Sequence, residues 1–231
     1  MWKKLLLILV SLPLCVGASC NVSCGGIPLL PDVNVELDLA DCYLRIVQQA
    51  GATEATVTAT ITDRIGRPVE LTGGQAVSVN GQALSATDID GIYTGIVAAA
   101  SAYTVSVNEP SRGVETTFIT APGAFDITSP ADGGTASLSG FTLVWSNADP
   151  SLQAAISLMQ TLFDDEEGET FGPSTDTGSL VLSAENLANF YQGANILITV
   201  TKTRTQSLIN GFNSGELTAE RSETSLMVPG P

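Results

Sequence analysis

The sequence predicts an all-β protein made of two tandem β sandwiches, preceded by a cleaved signal peptide and carrying one short helix in the second sandwich. Apolar residues alternate with Thr, Ser or charged residues over many short segments, which is the period of a strand with one buried face. Thr, Ser, Val, Gly and Ala dominate while Lys is scarce, a composition that favours strands and turns. Asn80-Gly81 lies between two such segments, and both residues tolerate the positive φ of a two-residue hairpin.

Residues 1–19 have the organisation of a secretory signal peptide. Lys3 and Lys4 precede an apolar run from Leu5 to Val10, and small residues follow at the end of the segment. The apolar part is shorter than the roughly 20 residues of a membrane-spanning helix. We therefore expect this segment to direct export and to be removed.

The segment Val16-Gly17-Ala18-Ser19-Cys20 resembles the lipobox of bacterial lipoproteins, with Gly17 where that family usually carries Leu. The resemblance implies cleavage before Cys20, acylation of that cysteine and a lipid anchor in the cell envelope. Asn21 follows instead of Asp, which in that family permits sorting to an outer membrane if the host has one. Cleavage after Ala18, giving a plainly secreted protein, stays open as the alternative.

The four cysteines predict one disulfide. Cys15 leaves with the signal peptide, and if Cys20 carries lipid the remaining pair is Cys24 and Cys42. In an oxidising compartment these two are expected to be bonded. The bridge would close a loop of about 18 residues, worth about 3 kcal/mol, and would join a tether at residues 20–32 to the first sandwich.

The first sandwich is expected at residues 33–120. Alternating or β-rich segments predict strands at residues 33–39, 55–62, 69–71, 76–79, 82–84, 91–97, 103–107 and 116–119. The segments VTATITDRIGRPVEL, VSVNGQAL, DGIYTGIV and YTVSV together resemble bacterial immunoglobulin-like domains of extracellular proteins. That resemblance implies an architecture and leaves the function open.

The second sandwich is expected at residues 124–229. The segment FDITSPADGGTASLSGFTLVWS resembles the start of a fibronectin type III or related immunoglobulin-like domain, which implies that Trp145 is a core anchor. Further strands are predicted at residues 154–163, 178–182, 194–201 and 216–228. Ser183 is expected to cap a short helix from Ala184 to Tyr191.

The charge of the chain excludes one class of partner. Acidic residues outnumber basic residues by 24 to 9, a net charge of −15, and removal of Lys3 and Lys4 with the signal peptide lowers it by two, to −17. Such a field repels nucleic acid and anionic lipid headgroups. We therefore expect the body to contact its membrane only through the lipid anchor.

The residue types argue against an enzyme. The chain contains no histidine, which removes Ser-His-Asp and Cys-His catalysis and histidine metal sites. A hydrolase using paired carboxylates would need two acids about 5 to 9.5 Å apart, and it is the least supported alternative.

One acidic run could provide oxygen ligands for Ca²⁺. Its spacing does not match the twelve-residue calcium loop, so a solvated hairpin loop is the favoured interpretation. The calcium candidates are Asp164, Asp165, Glu166, Glu167 and Glu169.

The expected function is that of a membrane-anchored envelope lipoprotein acting as a structural or interaction module. Its expected partners are the membrane, through the anchor, and envelope proteins or glycans. The rival is a secreted or surface adhesion module that binds carbohydrate or protein, with or without calcium.

Overall fold

The described residues of the computed structural model are 35–162, 165–207 and 210–230, and they form an all-β protein, as predicted. No helix among them is long and apolar enough to cross a membrane. One 3₁₀ helix, η1, covers Leu37–Leu39. The strands are β1 (Ala40–Gln49), β2 (Glu54–Asp63), β3 (Ala76–Val79), β4 (Gln82–Ala83), β5 (Ser85–Ala86), β6 (Ile92–Ala98), β7 (Ala102–Glu109), β8 (Gly113–Thr120), β9 (Ile127–Ser129), β10 (Gly134–Ser137), β11 (Gly140–Trp145), β12 (Gln153–Leu162), β13 (Asp165–Thr175), β14 (Ser179–Ser183), β15 (Ile196–Ser207) and β16 (Ser214–Gly230).

These strands form three sheets. The largest has nine strands in the order β13-β12-β15-β16-β1-β2-β6-β5, with β10 also paired to β16. A four-stranded sheet has the order β4-β3-β7-β8, and a three-stranded sheet has the order β14-β11-β9. The large sheet therefore contains strands from both halves of the chain.

Two hydrophobic clusters lie between the large sheet and the two smaller sheets. The first cluster contains Val57 and Ile61 of β2 and Val105 of β7. The second contains Ile198 of β15 and Leu143 of β11. Each half thus has the layered, face-to-face arrangement of a β sandwich.

Strand β16 belongs to both halves. Its first part pairs in parallel with β1, its last residues pair in parallel with β10, and β15 pairs antiparallel along most of its length. Leu217 and Ala219 enter the first cluster, and Met227 enters the second. The division into domains at residues 33–120 and 124–229 stays a prediction, but β16 connects the two halves by strand pairing.

The hairpin and the core tryptophan have the predicted local structure. Asn80 and Gly81 have φ angles of 49° and 81° and join Val79 to Gln82. Trp145 is only 4% exposed and lies in the second cluster.

The predicted strand at residues 33–39 is wrong within the described part. Residues Leu37–Leu39 form η1, in which the backbone N–H of Leu39 donates to Glu36 O at 2.9 Å. The backbone N–H of Leu37 donates to the carboxylate of Glu109 at 3.3 Å instead of to a neighbouring strand. The first strand, β1, starts only at Ala40.

The predicted helix from Ala184 to Tyr191 is also wrong, because this segment is a series of turns. Its backbone hydrogen bonds join residues three apart, as from the N–H of Phe190 to Leu187 O at 3.1 Å. The side-chain oxygen of Asn186 accepts from the N–H of Ser183 at 3.0 Å. Local bonds of this kind compete with helical hydrogen bonding.

Candidate binding face

The candidate site lies on the outer face of the nine-stranded sheet, the side away from both hydrophobic clusters. In β1, Leu44 and Ile46 point into the first cluster, so Tyr43 and Arg45 point outward. Tyr43 is 54% exposed, which is unusual for a large aromatic side chain in a central strand.

The strand register aligns polar side chains across this face. Tyr43 lies between Thr60 of β2 and Glu216 of β16. One pair further along, Arg45 lies between Thr58 and Thr218. The face therefore presents rows of hydroxyl and charged groups that cross four neighbouring strands.

A shallow depression of about 470 Å³ lies on this face, and we call it the outer-face depression. Tyr43, Arg45, Glu216 and Glu220 contribute its largest side chains. Its threonines come from three strands and are Thr58, Thr60, Thr203, Thr205 and Thr218.

Arg45 and Glu220 form an ion pair within the depression. Arg45 Nε donates to Glu220 Oε1 at 2.7 Å, and Arg45 Nη2 donates to Glu220 Oε2 at 2.6 Å. The paired geometry fixes both side chains, and the hydrogen bonds with Glu220 raise the pKa of Arg45. The charge of Arg45 is thus neutralised locally.

Glu216 leaves the depression with a negative balance. Its carboxylate accepts a hydrogen bond from the Thr218 hydroxyl at 3.1 Å. Among the described residues no ion pair within 4.0 Å involves Glu216. The charged residues of the lining are therefore one arginine and two glutamates, which gives the depression a net negative charge.

The two carboxylates of the depression differ in their pairing. Glu216 and Glu220 are four residues apart on one strand, which places their Cα atoms roughly 13 Å apart. Arg45 binds both oxygens of Glu220, whereas Glu216 has no such partner among the described ion pairs. The hydrolase alternative, which needs two carboxyl groups about 5 to 9.5 Å apart, stays a prediction.

The predicted acidic run lies elsewhere, on the edge strand β13. Asp164 lies outside the described residues, and so does the side chain of Asp165. Glu166, Glu167 and Glu169 belong to β13 and pair with β12, so the expected hairpin loop is wrong for these three. Alternation along the strand sends Glu166 to one face and the other two to the opposite face. No group of three or more Asp, Glu, Cys or His side chains is placed to hold a metal in the described part of the chain.

The predicted lipidation and disulfide residues are mostly outside the described residues. Cys20 and Cys24 both lie there, so acylation and the bridge stay predictions. Cys42 is fully buried and has a free thiol in the structure. Burial raises the pKa of this thiol to about 12, which makes it a poor nucleophile.

A second polar group, buried between the sheets, was not predicted from the sequence. Lys202 Nζ lies 2.9 Å from Asp176 Oδ2, and the two side chains are 1% and 0% exposed. Trp145 Nε1 donates to Asp176 Oδ1 at 2.7 Å, and Lys202 also donates to the carbonyls of Ser146 and Asn147. One sequence feature could have predicted that Lys202 points inward. It continues the alternation of Ile196, Ile198 and Val200, which are buried residues of β15.

Comparison with known proteins assigns no family. No family model matches the chain, and no curated protein matches it. Among solved structures, a mutant of Salmonella alpha-2-macroglobulin matches at 10% identity with a TM-score of 0.25, covering 89% of this chain and 16% of that one. A SusE-like surface-located polysaccharide-binding protein from the heparin utilisation locus of Bacteroides thetaiotaomicron matches at 15% identity with a TM-score of 0.19, covering 79% of this chain and 33% of that one. The chain thus spans a third or less of either protein, and at such TM-scores neither likeness assigns it a function.

Proposed function

We propose that this chain is an exported, non-catalytic binding module, held to the cell envelope by lipid on Cys20, whose binding surface is the outer face of the nine-stranded sheet. The outer-face depression carries this proposal. It combines an exposed tyrosine, a fixed Arg45–Glu220 pair and five threonines, and these residues come from four adjoining strands. Polar groups in set positions fix the orientation of a ligand and give its site specificity.

The location is proposed from the signal peptide and Cys20. The anchor experiment is membrane fractionation of the Cys20→Ala variant, which we expect to move from the membrane to the soluble fraction. Cys15→Ala is the matched control, because that cysteine leaves with the signal peptide and its loss should not change partitioning. Equal membrane retention of both variants would contradict the lipid anchor.

The binding surface is tested by photocross-linking in the native envelope. A benzophenone amino acid placed at Tyr43 should give a high-mass adduct, since that side chain is 54% exposed within the depression. The control position is Tyr191, which is 52% exposed and lies away from the depression. No adduct at Tyr43, or equal adducts at both positions, would contradict the proposed face.

A further inference from the structure

We infer that the ligand of the outer-face depression is a neutral, hydroxyl-rich glycan chain, with Tyr43 as the ring on which a sugar stacks. This inference rests on the binding role proposed above for the same face. Four properties of the depression support it, namely its charge, its paired backbone, its lining and the position of the Arg45–Glu220 pair.

The charge of the depression disfavours anionic ligands. Arg45 is the single cation of its lining, and Glu220 already pairs with it at 2.6 to 2.7 Å. Glu216 adds a carboxylate without an ion pair, and the whole chain is also strongly acidic. Sulfated or uronic-acid polymers and phosphate-containing chains would therefore be repelled.

The backbone beneath the depression is not open to peptide addition. Strands β15, β16, β1 and β2 are consecutive neighbours in the sheet, and each is paired on both sides. An extended peptide adds to an unpaired sheet edge, where it forms main-chain hydrogen bonds. Recognition at this central position must therefore use side chains.

The lining fits sugars better than it fits a protein surface. Protein interfaces concentrate their binding energy in clusters of buried aromatic and Arg anchors. Here Tyr43 is the single aromatic residue of the lining, and threonine hydroxyls surround it. An exposed ring offers an apolar face to sugar C–H groups while its hydroxyl stays available for hydrogen bonding.

The Arg45–Glu220 pair supplies fixed donors and acceptors beside that ring. Arg45 uses Nε and one Nη2 hydrogen for Glu220, which leaves N–H groups of the guanidinium free to donate. The Glu220 side chain is only 12% exposed, so it is held in place by its surroundings. A donor next to an acceptor in a fixed arrangement suits two neighbouring sugar hydroxyls, which both donate and accept.

The test is affinity electrophoresis of the detergent-solubilised full chain in gels containing soluble polysaccharides. The neutral panel is dextran, mannan, galactomannan and hydroxyethyl cellulose, and the anionic panel is alginate, polygalacturonate and heparin. We expect retardation by at least one neutral polymer and by no anionic polymer. Tyr43→Ala should weaken that binding by about tenfold, the loss expected for a stacking contact.

Control variants make this result specific to the depression. Tyr191→Ala should bind like the unmodified chain, and Tyr43→Phe should keep most of the binding because the ring remains. Retardation by anionic polymers only, or equal retardation of Tyr43→Ala and Tyr191→Ala, would overturn the inference. Retardation by no neutral polymer, together with a cross-linked adduct at Tyr43, would overturn the ligand class and leave the proposed function standing. If no neutral polymer retards the chain and no adduct forms at Tyr43, both the ligand class and the proposed binding face are wrong.

Discussion

Asp176 is the most completely enclosed carboxylate among the described residues. It accepts hydrogen bonds from Trp145 Nε1 and from the backbone N–H groups of Asp149 and Gly178, and it pairs with Lys202. Burial by itself would raise the pKa of Asp176, but the hydrogen bonds from Lys202 and Trp145 outweigh it and hold the pKa below its usual value. Asp176 therefore stabilises the fold above about pH 4, and that stability is lost as the pH falls through the lowered pKa.

We predict that Asp176→Asn destabilises the protein by about 3 to 5 kcal/mol, because it leaves Lys202 buried without a counter-charge. The double variant Asp176→Asn with Lys202→Met should lose less free energy of unfolding than the sum of the losses of the two single variants. Urea unfolding followed by fluorescence suits this test, since Trp145 is the only tryptophan after residue 2 of the sequence. A cost below about 1 kcal/mol for Asp176→Asn would show that the pair has no structural role.

The pKa of Glu223 is shifted in the opposite direction to that of Asp176. Burial raises its pKa, and the negative charges of Asp126 and Asp132 raise it further. The folded state therefore holds this proton to higher pH than the unfolded state, so ionised Glu223 weakens the fold at neutral pH.

We predict that Glu223→Gln raises Tm at pH 7 and that the gain disappears below about pH 4, where the carboxyl is protonated in both states. Thermal unfolding at the two pH values measures this. Glu216→Gln, an exposed change on the same strand, is the control and should give a smaller increase at pH 7. An equal gain at both pH values would rule out ionisation of Glu223 as the cause.

At the scale of elements, the pairing of β1 with β16 depends on Gly215. This residue lies opposite Cys42, has a φ of +145°, and a Cβ added to it would lie 1.8 Å from Cys42 O. A side chain at this position therefore forces β16 away from β1.

We predict that Gly215→Ala lowers the free energy of unfolding by about 3 kcal/mol or more, because the added Cβ clashes with the backbone and φ is unfavourable for alanine. Gly113→Ala separates the two effects, because Gly113 has a φ of +92° and nothing lies within 4 Å of its added Cβ. Gly113→Ala should lower the free energy of unfolding by only about 1 kcal/mol. Chemical denaturation of both variants provides the comparison, and equal losses would contradict the clash.

The acidic strand β13 allows a prediction about calcium. Because Glu166 points to the face opposite Glu167 and Glu169, we expect added Ca²⁺ to leave Tm unchanged. The measurement is Tm with about 5 mM Ca²⁺, a concentration that saturates weak extracellular sites. It is compared with Tm in the presence of a chelator. A rise in Tm that Glu167→Gln with Glu169→Gln abolishes would support the calcium candidates instead.

Local patterns predicted many elements but not the site. The alternation at residues 154–163 and 216–228 predicted β12 and β16 closely, because each strand has one buried face. No local pattern predicts β1, since the stronger apolar alternation lies before it, and none predicts β13, because an acidic run resembles a loop. Tyr43 and Arg45 lie on β1, and they meet Glu216 and Glu220 only through a parallel pairing that no local pattern encodes.

At the scale of the whole molecule, the shared strand β16 makes the two halves depend on each other. Leu217 and Ala219 complete the first cluster, while Met227 completes the second. Loss of β16 from the first half would also expose the edge of β1.

We predict one cooperative unfolding transition, with far-ultraviolet circular dichroism and Trp145 fluorescence giving coincident curves. A fragment of residues 33–120, which lacks β16, is expected not to fold. Two separate transitions, or a folded fragment with native-like stability, would support independent tandem domains.

The parallel pairing of β1 with β16 also sets an order of events during synthesis. The hydroxyl of Ser214 bonds to Asp41, 173 residues earlier in the chain, and the whole β1–β16 ladder has similar separations. Because the chain is made from its N-terminus, β1 is complete long before β16 is available. Contacts of such high contact order form late and slowly. The first half therefore has an open strand edge until β16 pairs with it, and an unpaired edge of this kind is prone to aggregation.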